Sequence, residues 1–304
     1  MMSEPYMDPL RLKERLARIR HVALDMDGTL YLGDTLFPWT IPFLQRLRSL
    51  GIGCSFLTNN PTRSRTDYLR KLAAMGIEAT PEQIYTSVEV TIDYLRRTYP
   101  EARRLFLLGT PSMAAQFEEA GFVQAEPPAA PGSDSPSLSC DSAAGTPPER
   151  PDAVVVSFDT TLTYRRLCRA AWWIFQGVPY VATNPDRVCP TGEETLLVDC
   201  GSLCKCIEEA TGRKPEAVSG KPDSRMLEPL LRHTGLEPGQ IAVVGDRLYT
   251  DIALAHRCDA FGVLVLSGET TSKMAAVSSL KADLTVDSVE NFGLLLEDAH
   301  RSRQ

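Results

Sequence analysis

The sequence has 304 residues, 43% hydrophobic and 23% charged, close to the average for globular proteins, so a sizeable core and two ordinary domains are possible. A formal net charge of −7 and a pI near 5.3 argue against general nucleic-acid binding but leave room for a small anionic substrate in a locally positive cleft. No apolar run reaches the length of a membrane span and the N-terminus carries no signal-peptide pattern, so a cytoplasmic protein with no membrane partner is expected.

In chain order, Asp8 and Pro9 predict a helix over 8–19, the aspartate as cap and the proline in the first turn. Val22 to Leu24 are apolar and bounded by polar residues, which predicts a short buried strand. A helix over 42–50 closes at Gly51, and an apolar run over 52–57 ends in Thr58-Asn59-Asn60-Pro61. A helix over 62–75 stops at Gly76, and a short strand over 83–87 leads into a helix from 88 to about 97. A strand over 104–108 and a helix over 112–120 open a second unit. Residues 125–151 are rich in Pro, Ser, Ala and Gly and nearly devoid of large apolar side chains; they cannot offset ordering entropy by burial, which predicts a flexible loop inside a domain. The same style then resumes: a strand over 153–158, a helix over 164–175, a strand over 180–182, a helix over 201–211 and a strand over 217–219. A helix over 224–233, a strand over 241–244, a helix over 250–257, strands over 261–266 and 284–286 and a helix over 289–297 complete the chain. Trp172 and Trp173 read as core and interface filling. The alternation predicts an α/β fold with a parallel, right-handed sheet covered on both faces.

The eight cysteines, Cys54, Cys140, Cys168, Cys189, Cys200, Cys204, Cys206 and Cys258, are scattered like reduced intracellular thiols. No second CxxC or histidine pair completes a zinc set around Cys200, Cys204 and Cys206.

Polar residues recur just after four apolar runs. Asp25 and Asp27 follow the first; alternate residues of an extended chain point the same way, so both carboxylates can aim at one spot if the extension persists. Gly28 permits a sharp turn and Thr29 offers a hydroxyl; the plainer reading is a strand followed by an Asp-Gly turn. Thr58, Asn59 and Asn60 follow the second run and are either a phosphate site at a helix start or ordinary capping residues. Lys221, after Gly220, is either a solvated charge or an ammonium anchored between strand and helix. Asp246 and Asp251 follow the fourth run. Asp251 can simply favour a helix dipole, but an unpaired carboxylate at a buried strand end, as at Asp246, is costly unless a hard cation such as Mg²⁺ offsets it.

The ordered strings Asp-Met-Asp-Gly-Thr-Leu from Asp25, Leu-Thr-Asn-Asn from Leu57, Gly-Lys-Pro from Gly220 and Gly-Asp-Arg-Leu-Tyr-Thr-Asp-Ile from Gly245 resemble the haloacid dehalogenase superfamily of aspartate-nucleophile phosphotransferases. With Ala182-Thr-Asn-Pro-Asp186 and Thr211-Gly-Arg-Lys-Pro215, the chain looks like the NagD-type, 4-nitrophenylphosphatase-like branch, along nearly its whole length except 125–151. The resemblance implies a Rossmann-like core, residues 1–100 and 214–304, with an α/β cap inserted over 101–213. It implies Asp25 as nucleophile and Asp27 as general acid and then base. Thr58 and Lys221 would hold the phosphoryl group, with Asn59 and Asn60 beside them. Mg²⁺ would be held by Asp25, the Asp27 carbonyl and Asp246, and Asp251 would orient metal-bound water or Lys221. Thr183-Asn184-Pro185-Asp186 resembles the branch's substrate-facing loop; Asn184 and Asp186 either hydrogen-bond a leaving group or cap their own turn.

Physical chemistry points the same way. Phosphate monoesters hydrolyse very slowly, so positioning and charge neutralisation must supply most of the acceleration. A carboxylate nucleophile splits the reaction into two displacements, and the leaving alkoxide needs a proton from a second carboxyl group. The expectation is a Mg²⁺-dependent phosphatase of small phosphorylated metabolites such as a sugar phosphate or nucleoside monophosphate. The rivals are a phosphotransferase or mutase on the same core and a non-catalytic regulatory module. Oligomeric state is left open, a homodimer through the cap being one arrangement.

Overall fold

The structure, a computed structural model, describes residues 8–126, 149–190 and 195–301. The loop expected over 125–151 falls mostly outside the described residues. The described chain divides into two compact units: residues up to Thr58, Arg65–Tyr85 and those from Lys221 onward form the first, and Asn59–Ser64 with Thr86–Gly220 the second. The divisions fall at Thr86 and Gly220, where the sequence reading set 101 and 213. Val88 and Leu95 of the helix Ser87–Thr98 are buried in the second unit's core, and Ala217–Val218 pairs with its sheet.

The first unit is built on a six-stranded sheet in the order Leu284–Val286, Phe261–Val265, Ile241–Gly245, His21–Asp25, Gly53–Thr58, Ile84–Thr86. His21–Asp25 runs parallel to both of its neighbours, as does Phe261–Val265 to both of its own. The two central strands are buried on both faces, which is why they read as continuous apolar runs. Val22 and Leu24 share a core with Phe43 and Leu47 of the helix Thr40–Ser49 and with Phe292 and Leu296 of Val289–Arg301. The Phe43 and Phe292 rings meet at 6.2 Å between centroids.

Asp8 caps the first helix by accepting from the Leu10 N–H, but the helix stops at Leu16, short of the expected 19. The expected helix over 224–233 is split into a turn, Ser224–Met226, and a helix, Glu228–Thr234, because Pro229 belongs at a helix start. Two hairpins, Tyr31–Leu32 with Thr35–Leu36 and Val188–Pro190 with Leu196–Val198, and the helix Ser272–Val277 lie where no element was expected.

The second unit carries a five-stranded parallel sheet in the order Ala217–Val218, Tyr180–Ala182, Ala153–Val156, Arg104–Leu108, Val123–Gln124. Period-two alternation splits its strands between two cores. Phe106, Leu108, Val154, Val156 and Tyr180 pack with the helices Tyr164–Phe175 and Cys200–Thr211. Leu105, Leu107, Ala153, Val155 and Val181 pack with Ser87–Thr98 and Pro111–Glu119. Trp173 fills the first of these cores, whereas Trp172 is 38% exposed. The fold is therefore α/β with parallel sheets, as the alternation predicts. No helix among the described residues is long and apolar enough to cross a membrane.

Candidate active site

The parallel register sets Asp25 opposite Leu57 and Leu24 opposite Val244, so the three central strands end together. Asp25, Thr58 and Asp246 emerge along that carboxyl edge. Strand order reverses there, the chain placing Gly53–Thr58 on one side of His21–Asp25 and Ile241–Gly245 on the other. Such a switch point is where open α/β sheets bind ligands.

Asp25, Asp246 and Asp251 each bring a carboxylate oxygen within 4.8 Å of the others. The Lys221 side chain, 3% exposed, forms ion pairs with Oδ1 of Asp25 and, at 2.7 Å, with Oδ1 of Asp251. Thr29 Oγ1 donates to Asp25 Oδ2 at 3.2 Å, using the hydroxyl anticipated there. Asp251 Oδ2 accepts from the Arg247 N–H at 3.1 Å and from Thr250 Oγ1 at 3.3 Å. Asp246 Oδ2 accepts from the Glu269 N–H at 2.6 Å. Its other oxygen, Oδ1, is buried with no hydrogen-bond partner among the described residues.

The charges in this cluster do not balance. With all three carboxyls ionised, one ammonium would leave two negative charges; Arg247, which also lowers Asp25 and Asp246, offsets them only in part, being itself paired with Glu269 at 2.9 Å. Burial, reinforced by Asp25 and Asp251, pushes the Asp246 carboxyl up to about 8. Burial likewise raises Asp25 to about 6, against Lys221, which pulls it down. Burial alone would lower the Lys221 ammonium, but Asp25 and Asp251 outweigh it and hold the lysine above its ordinary value. A divalent cation fits this cluster: it would neutralise the surplus charge and give the orphan Asp246 oxygen a partner. The backbone makes room for the Asp246 carboxylate. Gly28 turns at φ +84°, and a Cβ there would stand 2.5 Å from Asp246 Oδ2; one on Gly268 would stand 2.0 Å from the same atom.

Asp27 does not join the carboxylate cluster. The strand ends at Asp25, and three N–H groups, from Thr29, Leu30 and Tyr31, turn back to the Met26 carbonyl, so the extended spacing does not persist. The Asp27 side chain reaches solvent, yet the surrounding protein removes enough water to raise its carboxyl above the ordinary value, against Lys71 and the Gly33 N–H, which lower it. Thr58 is buried at its strand end, with Oγ1 3.4 Å from the Tyr68 hydroxyl. The expected helix over 250–257 begins instead as a π-helical turn, Leu248–Ile252, in which the N–H groups of Asp251 and Ile252 both reach the Arg247 carbonyl. Wide turns of this kind concentrate at functional sites.

Asn59, Asn60, Asn184 and Asp186 belong to the second unit. Asn184 and Asp186 are buried. Asn184 Nδ2 donates to the Asn59 carbonyl at 3.1 Å, Asn184 Oδ1 accepts from the Asp186 N–H at 2.9 Å, and Asn59 Nδ2 lies 3.4 Å from Asp186 Oδ1. Ser87 Oγ adds a second bond to the Asn59 carbonyl at 2.9 Å. Asn60 Oδ1 accepts from both the N–H and the hydroxyl of Thr62, the geometry of a capped turn. What the sequence reading missed is the Arg247–Glu269 pair and the loop after Phe261–Val265. A glycine in a polar stretch, Ser267-Gly-Glu-Thr-Thr271, after an apolar run was the signal for it.

Comparison with known proteins identifies the family. A haloacid dehalogenase-like hydrolase family model matches residues 22–123 and a second HAD-hydrolase-like model matches 218–292, so together they take in every member of the carboxylate–lysine cluster. The glycerol-3-phosphate phosphatase of Gallus gallus is 30% identical over 296 residues, 93% of this chain and 94% of its own. The ribonucleotide monophosphatase NagD of Escherichia coli is 28% identical over 250 residues, 82% of this chain and 88% of its own. The solved structure of a 4-nitrophenylphosphatase from Thermotoga maritima superposes with a TM-score of 0.80 at 35% identity, covering 92% of this chain and 98% of that one. With sequence likeness running the length of the chain and the same architecture beneath it, the chain belongs to the haloacid dehalogenase-like hydrolases, in their NagD and 4-nitrophenylphosphatase branch, and is a phosphoric monoester hydrolase.

Proposed function

We propose that the chain is a Mg²⁺-dependent phosphatase of small phosphorylated metabolites that acts through an aspartyl-phosphate on Asp25. One observation carries the reading: a largely buried acidic trio with a surplus of negative charge when ionised encloses a carboxylate oxygen with no hydrogen-bond partner among the described residues, beside a buried lysine. A Mg²⁺ ion held by Asp25, the Asp27 main-chain carbonyl and Asp246 would supply the positive charge that lets an anionic nucleophile approach a phosphate dianion.

The chain's own residues divide the remaining work. Asp25 is oriented for attack from both sides, by Lys221 on Oδ1 and by the Thr29 hydroxyl on Oδ2. Lys221 and the Thr58 hydroxyl hold the phosphoryl oxygens, and Asp251 keeps the lysine in place. Asp27, outside the trio and reaching solvent, gives a proton to the leaving oxygen and takes one from the attacking water. A carboxyl group already raised above its ordinary value suits both tasks.

The names of relatives suggest the substrate class. Glycerol 3-phosphate and ribonucleoside monophosphates are small alcohol esters of phosphate, and the acidic chain favours neither nucleic acid nor an anionic membrane as partner. A cytoplasmic enzyme of small metabolites is the setting this implies. The test is a panel of phosphate esters incubated with the purified protein and Mg²⁺, scored by free phosphate without added acceptor. Release from several small esters, abolished by chelator, is expected. Consumption of ester only when an acceptor alcohol is present would instead make the protein a phosphotransferase.

A further inference from the structure

Asp246 is held by more than its own strand. The loop after Phe261–Val265 wraps it at several points: the Thr270 N–H reaches its carbonyl at 3.2 Å and the Glu269 N–H its Oδ2 at 2.6 Å. Gly268 lies so close that a Cβ there would overlap the carboxylate. Ser267 Oγ ties the same loop to the Gly28 carbonyl at 2.7 Å. Because Oδ2 is taken by a main-chain donor, Oδ1 is the oxygen left for a ligand. A side-chain contact also runs from this loop to the residue that follows Asp246. Glu269 Oε2 meets Arg247 Nε at 2.9 Å, with both side chains at least two-thirds buried. Arg247 in turn gives its N–H to Asp251 Oδ2 at 3.1 Å. The pair therefore joins the supports of two of the three acidic residues.

Resting on the divalent-cation reading above, we infer that the Arg247–Glu269 ion pair is a latch that positions Asp246 and Asp251 and sets the affinity of the site for its cation. Both are positioning residues; neither supplies a ligand. Outer partners of this kind are typically worth on the order of 10- to 100-fold in metal affinity.

A latch and a simple charge effect make opposite demands on Arg247. Removing a positive charge beside an acidic site should tighten cation binding if only the field matters. It should weaken binding if the arginine holds the loop. The test uses the full chain and Mn²⁺ alone as probe, with free Mn²⁺ read by electron paramagnetic resonance. Arg247→Ala and Glu269→Ala are each expected to weaken binding by about tenfold or more, and the double variant to be no weaker than the worse single one, since both break one contact. Glu269→Gln, which keeps length, the acceptor oxygen and the backbone donor, guards against misfolding and is expected to fall between wild type and Glu269→Ala. Tighter binding in Arg247→Ala, additive losses in the double variant, or unchanged affinity in Glu269→Ala would each overturn the latch. Asp246→Asn separates the two layers. If it too leaves Mn²⁺ binding unchanged, the cation reading itself fails; if it abolishes binding while the latch variants do nothing, only the latch fails.

Discussion

Asp25 and Asp27 are two carboxyl groups of the same kind, two residues apart, and the structure gives them different surroundings. Asp25 is gripped by Lys221 and Thr29, whereas Asp27 stands at the turn in reach of water. Asp25→Asn is expected to abolish turnover, and Asp27→Asn to lower steady turnover of 4-nitrophenyl phosphate by about 10²–10⁴-fold, the usual worth of acid–base help. Steady-state kinetics on both variants checks this; full turnover in either would remove that residue from the chemistry. Asp246 makes a separate prediction about pH. Its folded-state value, raised to about 8 by burial and by its acidic neighbours, lies above the ordinary 3.8, so the neutral carboxyl is the tolerated form. In metal-free protein that stabilising contribution is complete below the ordinary value and is lost as pH rises through about 8, with Asp25 losing its share near 6. A cation removes the penalty, so the melting-temperature gain from Mg²⁺ is expected to be larger at about pH 8.5 than at about pH 6.5. His21, which burial lowers to about 4, is neutral across that range and does not confuse the comparison. A gain that shrinks with pH, or one that survives in Asp246→Asn, would contradict the assignment. Sequence spacing singled out Asp25, Lys221 and Asp246 because each stands at or just beyond the end of an apolar run, and Asp251 because it opens the next helical segment. It could not find the Glu269 N–H on Asp246, because main-chain donors leave no residue-type signal.

Among the elements, strands that are apolar throughout were legible and short or irregular pieces were not. Ile241–Gly245 and Phe261–Val265 announce themselves by burial on both faces. The π-helical turn Leu248–Ile252 does not, since Thr250-Asp251-Ile252 fits an ordinary helix start equally well; what marks the wider turn is the Ile252 N–H reaching back five residues to the Arg247 carbonyl. The loop at Asn184 is the instructive case. By sequence it either offers two polar groups to a leaving group or caps its own turn; in the structure Asn184 is buried, its amide donates to the Asn59 carbonyl, and its oxygen accepts from the Asp186 N–H, which fits the second. Asn184→Ala is therefore expected to act as loss of a buried hydrogen-bonding group, about 1–3 kcal/mol by urea unfolding, and to depress every substrate alike instead of re-ranking them. A changed substrate order at unchanged stability would return Asn184 to the substrate. The helix pair Thr40–Ser49 and Val289–Arg301 makes a plainer forecast. Phe43 is fully buried against Phe292, and Phe43→Ala is expected to cost about 3–5 kcal/mol of stability. Urea unfolding of the full chain reads it, and a loss under 1 kcal/mol would mean that the pocket collapses around the gap.

For the whole molecule, the order of motifs along the chain carried most of the reading. The residues read as nucleophile, phosphate site, lysine and acidic strand end come from both ends of the sequence, and the six-stranded sheet brings strands from both ends together. The limits of the insertion were less legible. Whether a helix such as Ser87–Thr98 belongs to one core or the other depends on which apolar side chains meet it, and periodicity records only that it has an apolar face. The substrate is not legible at this scale, because relatives with similar coverage carry names that point to different phosphate esters. The chemistry they would share is testable without knowing the substrate. Asp27→Asn, mixed with 4-nitrophenyl phosphate and Mg²⁺ and quenched in acid within its first turnovers, should show a burst of nitrophenolate and a protein heavier by one phosphoryl group, mapped to the peptide holding Asp25. Asp25→Asn treated identically should show neither. Phosphate found on any other residue, or a phosphorylated Asp25→Asn protein, would contradict the assignment of Asp25 as the nucleophile.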